Sequence, residues 1–379
     1  MSKIKFNIPY LSSSGNENLY ISDVINGSHY SGNGRYTTKC HNLISNILDC
    51  PNVLLTDSCT SALEICASII RDYSSEQEVI IPSYTFSSTA AAFAKLGFKI
   101  IFCDIDKNSM MMDVEDAISK ITKKTAAIIA VHYGGDVLNL DRLSLTCKEK
   151  NVNLVEDAAQ AFGCSIDNKM AGTIGDYACF SFHETKNLHA GLAGCFVAKN
   201  KSDMSRATFI WERGTNRSEV LKGAVDKYTW VELGGSYYPT ELQAAFLFAQ
   251  LESFDTNLQK RKELHNQYVE SFQSLQLNIK KQAISQSVKH NGHAYWIKLP
   301  SEDKLTGLIE FLRSKEIDAY IGYVPLHNSP ISKKLNFYLG TLPVTESESK
   351  LILRLPIHCA MSISDVKSVV KNINSYLQG

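Results

Sequence analysis

Seven short, almost wholly apolar segments in the first half of the chain constrain its fold more than any other feature. They are NVLLTD (52–57), EVIIPS (78–83), KIIFCDID (99–106), AAIIAVHY (126–133), NLVEDA (153–158), YACFSF (177–182) and GCFVAK (194–199). Each has the length of a strand and falls short of an ordinary helix. Longer stretches of helical period separate several of them; residues 61–73 set Leu63, Ile65, Cys66, Ile69 and Ile70 largely along one side. Apolar strands alternating with helices predict an α/β fold with a large, mostly parallel sheet covered on both faces. Ligands of such sheets gather at the carboxyl ends of the strands, so the residues just past each strand are the ones to inspect.

Residues 240–272 form a long helical pattern without Pro or Gly, rich in Ala and Leu at first and charged later. This stretch is expected to lead from a major domain with an N-terminal arm, residues 1–250, into a smaller C-terminal α+β domain, residues 251–379. The second domain is made of short elements such as AYWIKLP and LILRLPIH.

Composition removes several function classes. The 39 basic and 39 acidic residues cancel, which leaves no field for nucleic acid or an anionic membrane. None of the ten cysteines forms a C-x-x-C pair, so zinc-ribbon and thioredoxin chemistry is not expected, nor is any metal site. Buried, reduced thiols are the expectation, with Cys103 and Cys179 inside apolar runs. The opening MSKIKFNIPYLSSSG has no apolar signal core, and no stretch approaches the ~18 apolar residues of a membrane span. A cytoplasmic protein is expected.

Four strand ends carry residues with chemical potential. After the first strand, Ser58, Thr60 and Ser61 stand where a helix begins, and hydroxyls with free N–H groups there suit an anion. Tyr84 and Phe86 follow the second strand, where an aromatic can stack on a flat ligand. Glu156 and Asp157 close an apolar strand, a costly place for a carboxylate without a cationic partner. Lys186 follows YACFSF in a cluster with Ser181, His183, Glu184 and Thr185. Taken singly, these are ordinary caps, core aromatics and surface residues. In this order they are the set a pyridoxal 5′-phosphate (PLP) enzyme needs: donors for the phosphate, an aromatic for the ring, a carboxylate for the pyridinium nitrogen and an amine for the aldehyde. No G-x-G-x-x-G follows any strand, so a nicotinamide oxidoreductase is poorly supported.

The motifs TDSCTSALE, PSYTF, VEDAAQ, SFHETKN, RGTNRS, DKYTW and ELQAA make the resemblance specific. Together they resemble the sugar-nucleotide aminotransferases of PLP fold type I (aspartate aminotransferase-like), and most of all the group of dTDP-4-amino-4,6-dideoxygalactose transaminases. The resemblance runs from GSHYSGNGRYTTKCH to YVPLH and LRLPIH, nearly the whole chain. It implies that Lys186 joins the cofactor's aldehyde and moves the proton, and that Asp157 pairs with the ring nitrogen. It further implies Gln160 at the phenolic oxygen, Thr60, Ser61 and Ser181 at the phosphate, Phe86 over the ring, and Ser236, or a neighbour such as Asn216 or Arg217, reaching the cofactor of a partner subunit. His183, Tyr323 and His327 would lie toward the sugar or nucleotide. The implied reaction moves an amino group, by family habit from glutamate, to a nucleotide-linked keto-sugar such as dTDP-4-keto-6-deoxyglucose. It would serve bacterial surface polysaccharide, in a homodimer with shared sites.

Two stretches depart from the family pattern. Relatives often carry Gly-Glu-Gly-Gly after the lysine; here the loop is HAGLAGC, with Leu192, Ala193 and Cys195 in place of Gly, Glu and Gly. Ser236 stands where many relatives have Asn. The altered loop motivates a second reading, a PLP-binding regulator or pseudoenzyme of the same fold. PLP-dependent sugar dehydratases replace the lysine with His, and Lys186 argues against that chemistry.

Overall fold

The computed structural model describes residues 3–12, 14–337 and 340–379. All seven apolar segments become strands of one sheet: β1 (Val53–Thr56), β2 (Glu78–Pro82), β3 (Lys99–Cys103), β4 (Thr125–Val131) and β5 (Asn153–Asp157), then, beyond a two-residue hairpin of β6 (Ser165–Ile166) and β7 (Lys169–Met170), β8 (Tyr177–Ser181) and β9 (Gly194–Ala198). The order across the large sheet is β1-β9-β8-β5-β4-β2-β3. The pairs β2–β3, β2–β4, β4–β5 and β5–β8 are parallel, while β9 runs antiparallel to both its neighbours. The mostly parallel sheet is therefore present. Apolar clusters lie on both its faces, which is why these strands have no polar face.

The long helical pattern is two helices, Glu241–Glu252 and Phe254–Gln273, meeting at Ser253. Neither Pro nor Gly breaks it; the two halves have different partners. Ala244, Ala245, Leu247 and Leu251 of the first are buried in the core beside the large sheet. Leu264, Tyr268 and Phe272 of the second are buried in the separate C-terminal core. Helical period reports an apolar face and does not reveal that the face is shared between two cores.

The C-terminal part adds β10 (Lys280–Lys281), β11 (Val288–Lys289), β12 (Tyr295–Lys298), β13 (Tyr320–Ile321) and β14 (Ile352–Leu355). Four of these form an antiparallel sheet, β10-β12-β14-β13, whereas β11 joins β6 and β7. The start of the chain also lies here: Ile4 bridges to Ile317, donating to the Glu316 carbonyl and accepting from the Asp318 N–H, both at 2.9 Å. Arg354 and Leu355 of β14 line one cleft with Asp157 and Ser181 at the carboxyl ends of β5 and β8, and Phe6 and Asn7 of the N-terminal segment line it too.

Candidate active site

The site is built from the turn upward. Ser58 is extended and its Oγ accepts the Ser61 N–H at 3.1 Å, so it caps the helix Cys59–Ile70. The first-turn N–H groups have no carbonyl within the helix to accept from them. Thr60 donates to Ser88 Oγ at 2.9 Å, which brings the start of a second helix, Ser87–Lys95, into the same corner. Gly194 presses on this turn from β9: a Cβ there would sit 2.4 Å from the Cys59 nitrogen, so a larger residue would push the turn out of place.

Asp157 ends β5 and is 4% exposed. One of its oxygens accepts from Thr89 Oγ1 at 2.7 Å and the other from the Ala159 N–H at 3.2 Å. It forms no salt bridge among the described residues, although the Lys186 and His132 charges act on it. Burial raises its pKa, and the bonds from Thr89 and Ala159 only partly offset this. Its neighbour Glu156 points the other way. It accepts from His132, from the N–H of Gly172 and from those of Ile174 and Gly175, at 2.6–2.9 Å. Burial raises the Glu156 pKa, but these donors outweigh it and the net shift is down. Glu156 therefore holds a turn, while Asp157 lines the cleft with a carboxylate that is in no salt bridge among the described residues.

Lys186 lies in a tight turn after β8, its N–H donating to the His183 carbonyl at 2.8 Å. Removal from bulk water lowers its pKa to about 8; Cys59 and Asp157 oppose this and Arg354 adds to it. The amine is thereby closer to its neutral, nucleophilic form. The loop behind it is packed. Ala193 is 1% exposed and its carbonyl accepts the Phe182 N–H at 2.8 Å, while Leu192 lies at the cavity edge. The stretch that departs from the family pattern is a built part of the wall.

These groups line one cavity of about 360 Å³. It brings together Thr60, Phe86, Asp157, Gln160, Ser181, His183, Lys186 and Tyr323 of the residues expected from sequence. Gln160 is fixed between two partners, accepting from the Gly134 N–H at 2.7 Å and donating to the Tyr323 hydroxyl at 2.6 Å. Three expected residues lie elsewhere. Ser61 is one step back, its hydroxyl 3.0 Å from that of Ser58, and Ser58 itself reaches the wall. Ser236 is on the exposed surface, bridged to Glu212. His327 is buried between Ser83 Oγ at 2.6 Å and Glu346 at 3.0 Å. It pins the loop carrying Tyr323 to the end of β2 and does not line the cavity.

The DegT/DnrJ/EryC1/StrS aminotransferase family model matches residues 12–374. The chain belongs to this family. An uncharacterized protein of Methanocaldococcus jannaschii is 30% identical over 90% of this chain and 89% of its own. The GDP-perosamine synthase of Vibrio cholerae is 27% identical over 96% of each. Spr1654 of Streptococcus pneumoniae, solved in its PLP form, superposes with a TM-score of 0.91 at 22% identity, covering 100% of this chain and 99% of the other.

Members of this family use PLP to transaminate nucleotide-linked keto-sugars. The cavity fits that cofactor on its own terms. A buried carboxylate in no salt bridge, its pKa raised by burial, suits a pyridinium nitrogen, and a hydroxyl-lined helix start suits a phosphate. When bound, PLP supplies an electron sink for the carbon from which a proton is removed. Asp157 would hold the proton on the ring nitrogen, Lys186 Nζ would move a proton between the two carbons that exchange the amine, and Thr60, Ser88 and Ser181 would hold the phosphate.

Several wall residues escaped the sequence reading. Ser88 and Thr89 sit two and three residues past Phe86, in a stretch read only for its aromatics. His293 is fixed by Asn187 at 3.0 Å, and burial, then the Lys186, Arg261 and Arg354 charges, push its pKa well down, so its ring is neutral. Arg261 and Arg354 come from the C-terminal part, where no strand-end rule pointed to them. The ten cysteines are free; Cys59 lies in the cavity wall, and Cys66 and Cys179 have sulfurs 3.4 Å apart.

Proposed function

We propose that this aminotransferase moves the amino group of glutamate to a nucleotide-linked 4-keto-6-deoxy sugar, with dTDP-4-keto-6-deoxyglucose as acceptor, for bacterial surface polysaccharide. The observation that carries the reading is the placing of Lys186 and Asp157 on one cavity with a hydroxyl-lined helix start. The motif resemblance supports the dTDP-sugar, and the GDP-perosamine relative makes a GDP-linked sugar its nearest rival. Lys186 and Asp157 are both in place, which favours turnover over a cofactor-binding regulator.

The working unit is a homodimer. Tyr228, Trp230, Val231 and Leu233 are exposed in one run, Trp230 at 71%, and Phe86 and Leu192 are exposed at the cavity edge. An exposed apolar run of this kind, together with apolar side chains open at the cavity edge, supports a covering subunit. Ser236 lies three residues beyond that run and would reach the partner's cofactor.

The test has two stages. Glutamate should remove the visible absorbance of the holoenzyme. The glutamate-treated enzyme is then offered dTDP-, GDP- and UDP-linked keto-sugars, and the products are weighed by mass spectrometry. Gain of an amine on the dTDP-4-keto-sugar alone is expected. Amination of the GDP-sugar alone would move the assignment to that nucleotide, and no spectral change with glutamate would remove the donor. Light scattering at twice the chain mass is expected for the dimer.

A further inference from the structure

Beside the cavity of the active site lies a second, much smaller one, of about 20 Å³. Ala159, Gln160, Ser181, Lys186 and His293 belong to the walls of both, so the two are neighbours at the reactive lysine. A water needs roughly 10–15 Å³ and two to four polar partners. The small cavity has room for one, and its wall supplies the partners.

Asn257 is the first. It is 2% exposed, it lines the small cavity, and its Nδ2 has no hydrogen-bond partner. A buried amide N–H in that state is costly, and an acceptor at this place recovers the loss. His293 is the second. Asn187 spends its Nδ2 on the Asn291 carbonyl at 2.9 Å, so it turns its Oδ1 to His293 Nδ1 at 3.0 Å. The ring proton is then on Nδ1, and Nε2 is an acceptor with no hydrogen bond among the described residues. Arg261, one helical turn beyond Asn257, donates to the His293 carbonyl at 2.9 Å and so keeps the two side by side. Lys186 is the third partner, through the N–H groups of its amine. Phe254 and Leu258 of the same wall are half-buried, which leads the small cavity toward the surface where the two long helices meet.

We propose that the small cavity is a water site beside Lys186, through which its amine exchanges protons with solvent during turnover. This rests on the aminotransferase reading above. Lys186 takes a proton from one carbon and gives one to another, and at that moment cofactor and substrate fill the main cavity. The small cavity is the side of the lysine that they leave open to water. In the exchange an N–H bond of the ammonium breaks as the water accepts its proton. An O–H bond of the same water breaks to return another, and bulk water then replaces the one that reacted. Charge and atoms balance and nothing is oxidised. Asn257 and His293 are positioning residues here: they hold the water and do not touch the reacting carbons.

The test follows deuterium. The holoenzyme receives a donor deuterated on the carbon that bears the amine, glutamate first, and alanine or glutamine should glutamate be inert. The pyridoxamine phosphate formed at early times is then weighed. A freely rotating ammonium carries three hydrogens, so a Lys186 sealed from water would deliver about one third of the label. The parent should deliver far less. Asn257→Leu, which fills the cavity with methyl groups, should raise delivery roughly threefold or more, toward that ceiling. Asn257→Ala removes the same amide but leaves room for water, so its delivery should stay at the parent's value. An unchanged visible band shows that the cofactor site is intact in each variant, and Asn257→Met takes the place of Asn257→Leu should that variant not fold. A crystal structure of the holoenzyme should show one water within about 3.2 Å of both the Asn257 amide and His293 Nε2. Equal delivery by the parent and both variants would overturn the proposal, and so would a holoenzyme crystal with no water at that place. A water in place and label lost, but only with a donor other than glutamate, would uphold the site and move the donor assignment.

Discussion

The two walls of the cavity are made differently. On the large-sheet wall, Asp157, Ser58, Thr60 and Gln160 are each held by a hydrogen bond before any ligand arrives. On the small-sheet wall, Arg354 has an unpartnered nitrogen and Arg261 spends its donors on carbonyls. On the proposed reading the first wall would hold the cofactor, whose demands are the same in every turnover. The second wall carries a buried donor, Arg354 Nε, that the fold itself leaves unpartnered. Cofactor chemistry should therefore fail outright when the first wall is altered, while changes in the second should shift preference.

Lys186→Ala is the strongest test of that contrast. The large-sheet wall loses its only amine among the lining residues described, so transamination should fall by roughly 10⁴-fold or more and the visible band should disappear. The melting point of the cofactor-free protein should hold. Turnover near the parent rate would take the reaction centre away from this wall.

Asp157→Asn should cost about 10²–10³-fold in kcat, since the ring-nitrogen charge is stabilised only while the carboxylate is present. Its effect on stability should have the opposite sign. The folded pKa of Asp157 is raised, so the folded chain holds that proton more tightly than the unfolded chain does. Above the folded pKa the buried carboxylate therefore destabilises the cofactor-free protein, and the penalty fades as pH falls through it. At pH 8 the cofactor-free Asn variant should melt at or above the parent. A variant that melts clearly lower would mean that Asp157 already has a stabilising partner.

Ala193→Glu probes the loop that departs from its relatives. Ala193 is 1% exposed and packs in the core beside the large sheet. A carboxylate there would enter an apolar cluster, so the folded protein should lose about 3–5 kcal/mol, read from urea unfolding. Unchanged stability with a gain in activity would make the natural loop a degraded one and revive the regulator reading.

The two walls also differ in how far the sequence discloses them. Strand ends such as VEDAAQ and SFHETKN are legible because an acidic or basic residue directly after an apolar run contradicts its surroundings. The seven strands and the large parallel sheet were readable for the same reason, that both faces are apolar. Arg354 has no such mark. LILRLP reads as a half-exposed strand in which an arginine is unremarkable, and only the packing of the small sheet over the cleft puts it on the cavity. His327 illustrates the converse. Its motif, YVPLH, belongs to the family pattern, yet its ring is spent on Ser83 and Glu346, and the residue it helps to place, Tyr323, is the one that lines the cavity. Ser253, where one helical pattern becomes two helices, was invisible because the break follows from two cores and not from a breaker residue.

The smallest effect expected is the most direct measure of how the walls oppose each other across Lys186. In the cofactor-free protein this amine has a pKa of about 8, lowered mainly by burial, with Cys59 and Asp157 holding it up and Arg354 pressing it down. Only the neutral amine attacks an aldehyde, so the rate of PLP attachment should rise about tenfold per pH unit below 8 and level off above it. An ordinary lysine would go on gaining through pH 10. Running N-acetyl-lysine alongside removes the titration of PLP itself from the comparison. The midpoint should then move down in Asp157→Asn, which loses the supporting charge, and up in Arg354→Met, which loses the opposing one. A midpoint that stays near 10, or that ignores both substitutions, would mean that neither wall acts on the lysine before the cofactor is in place.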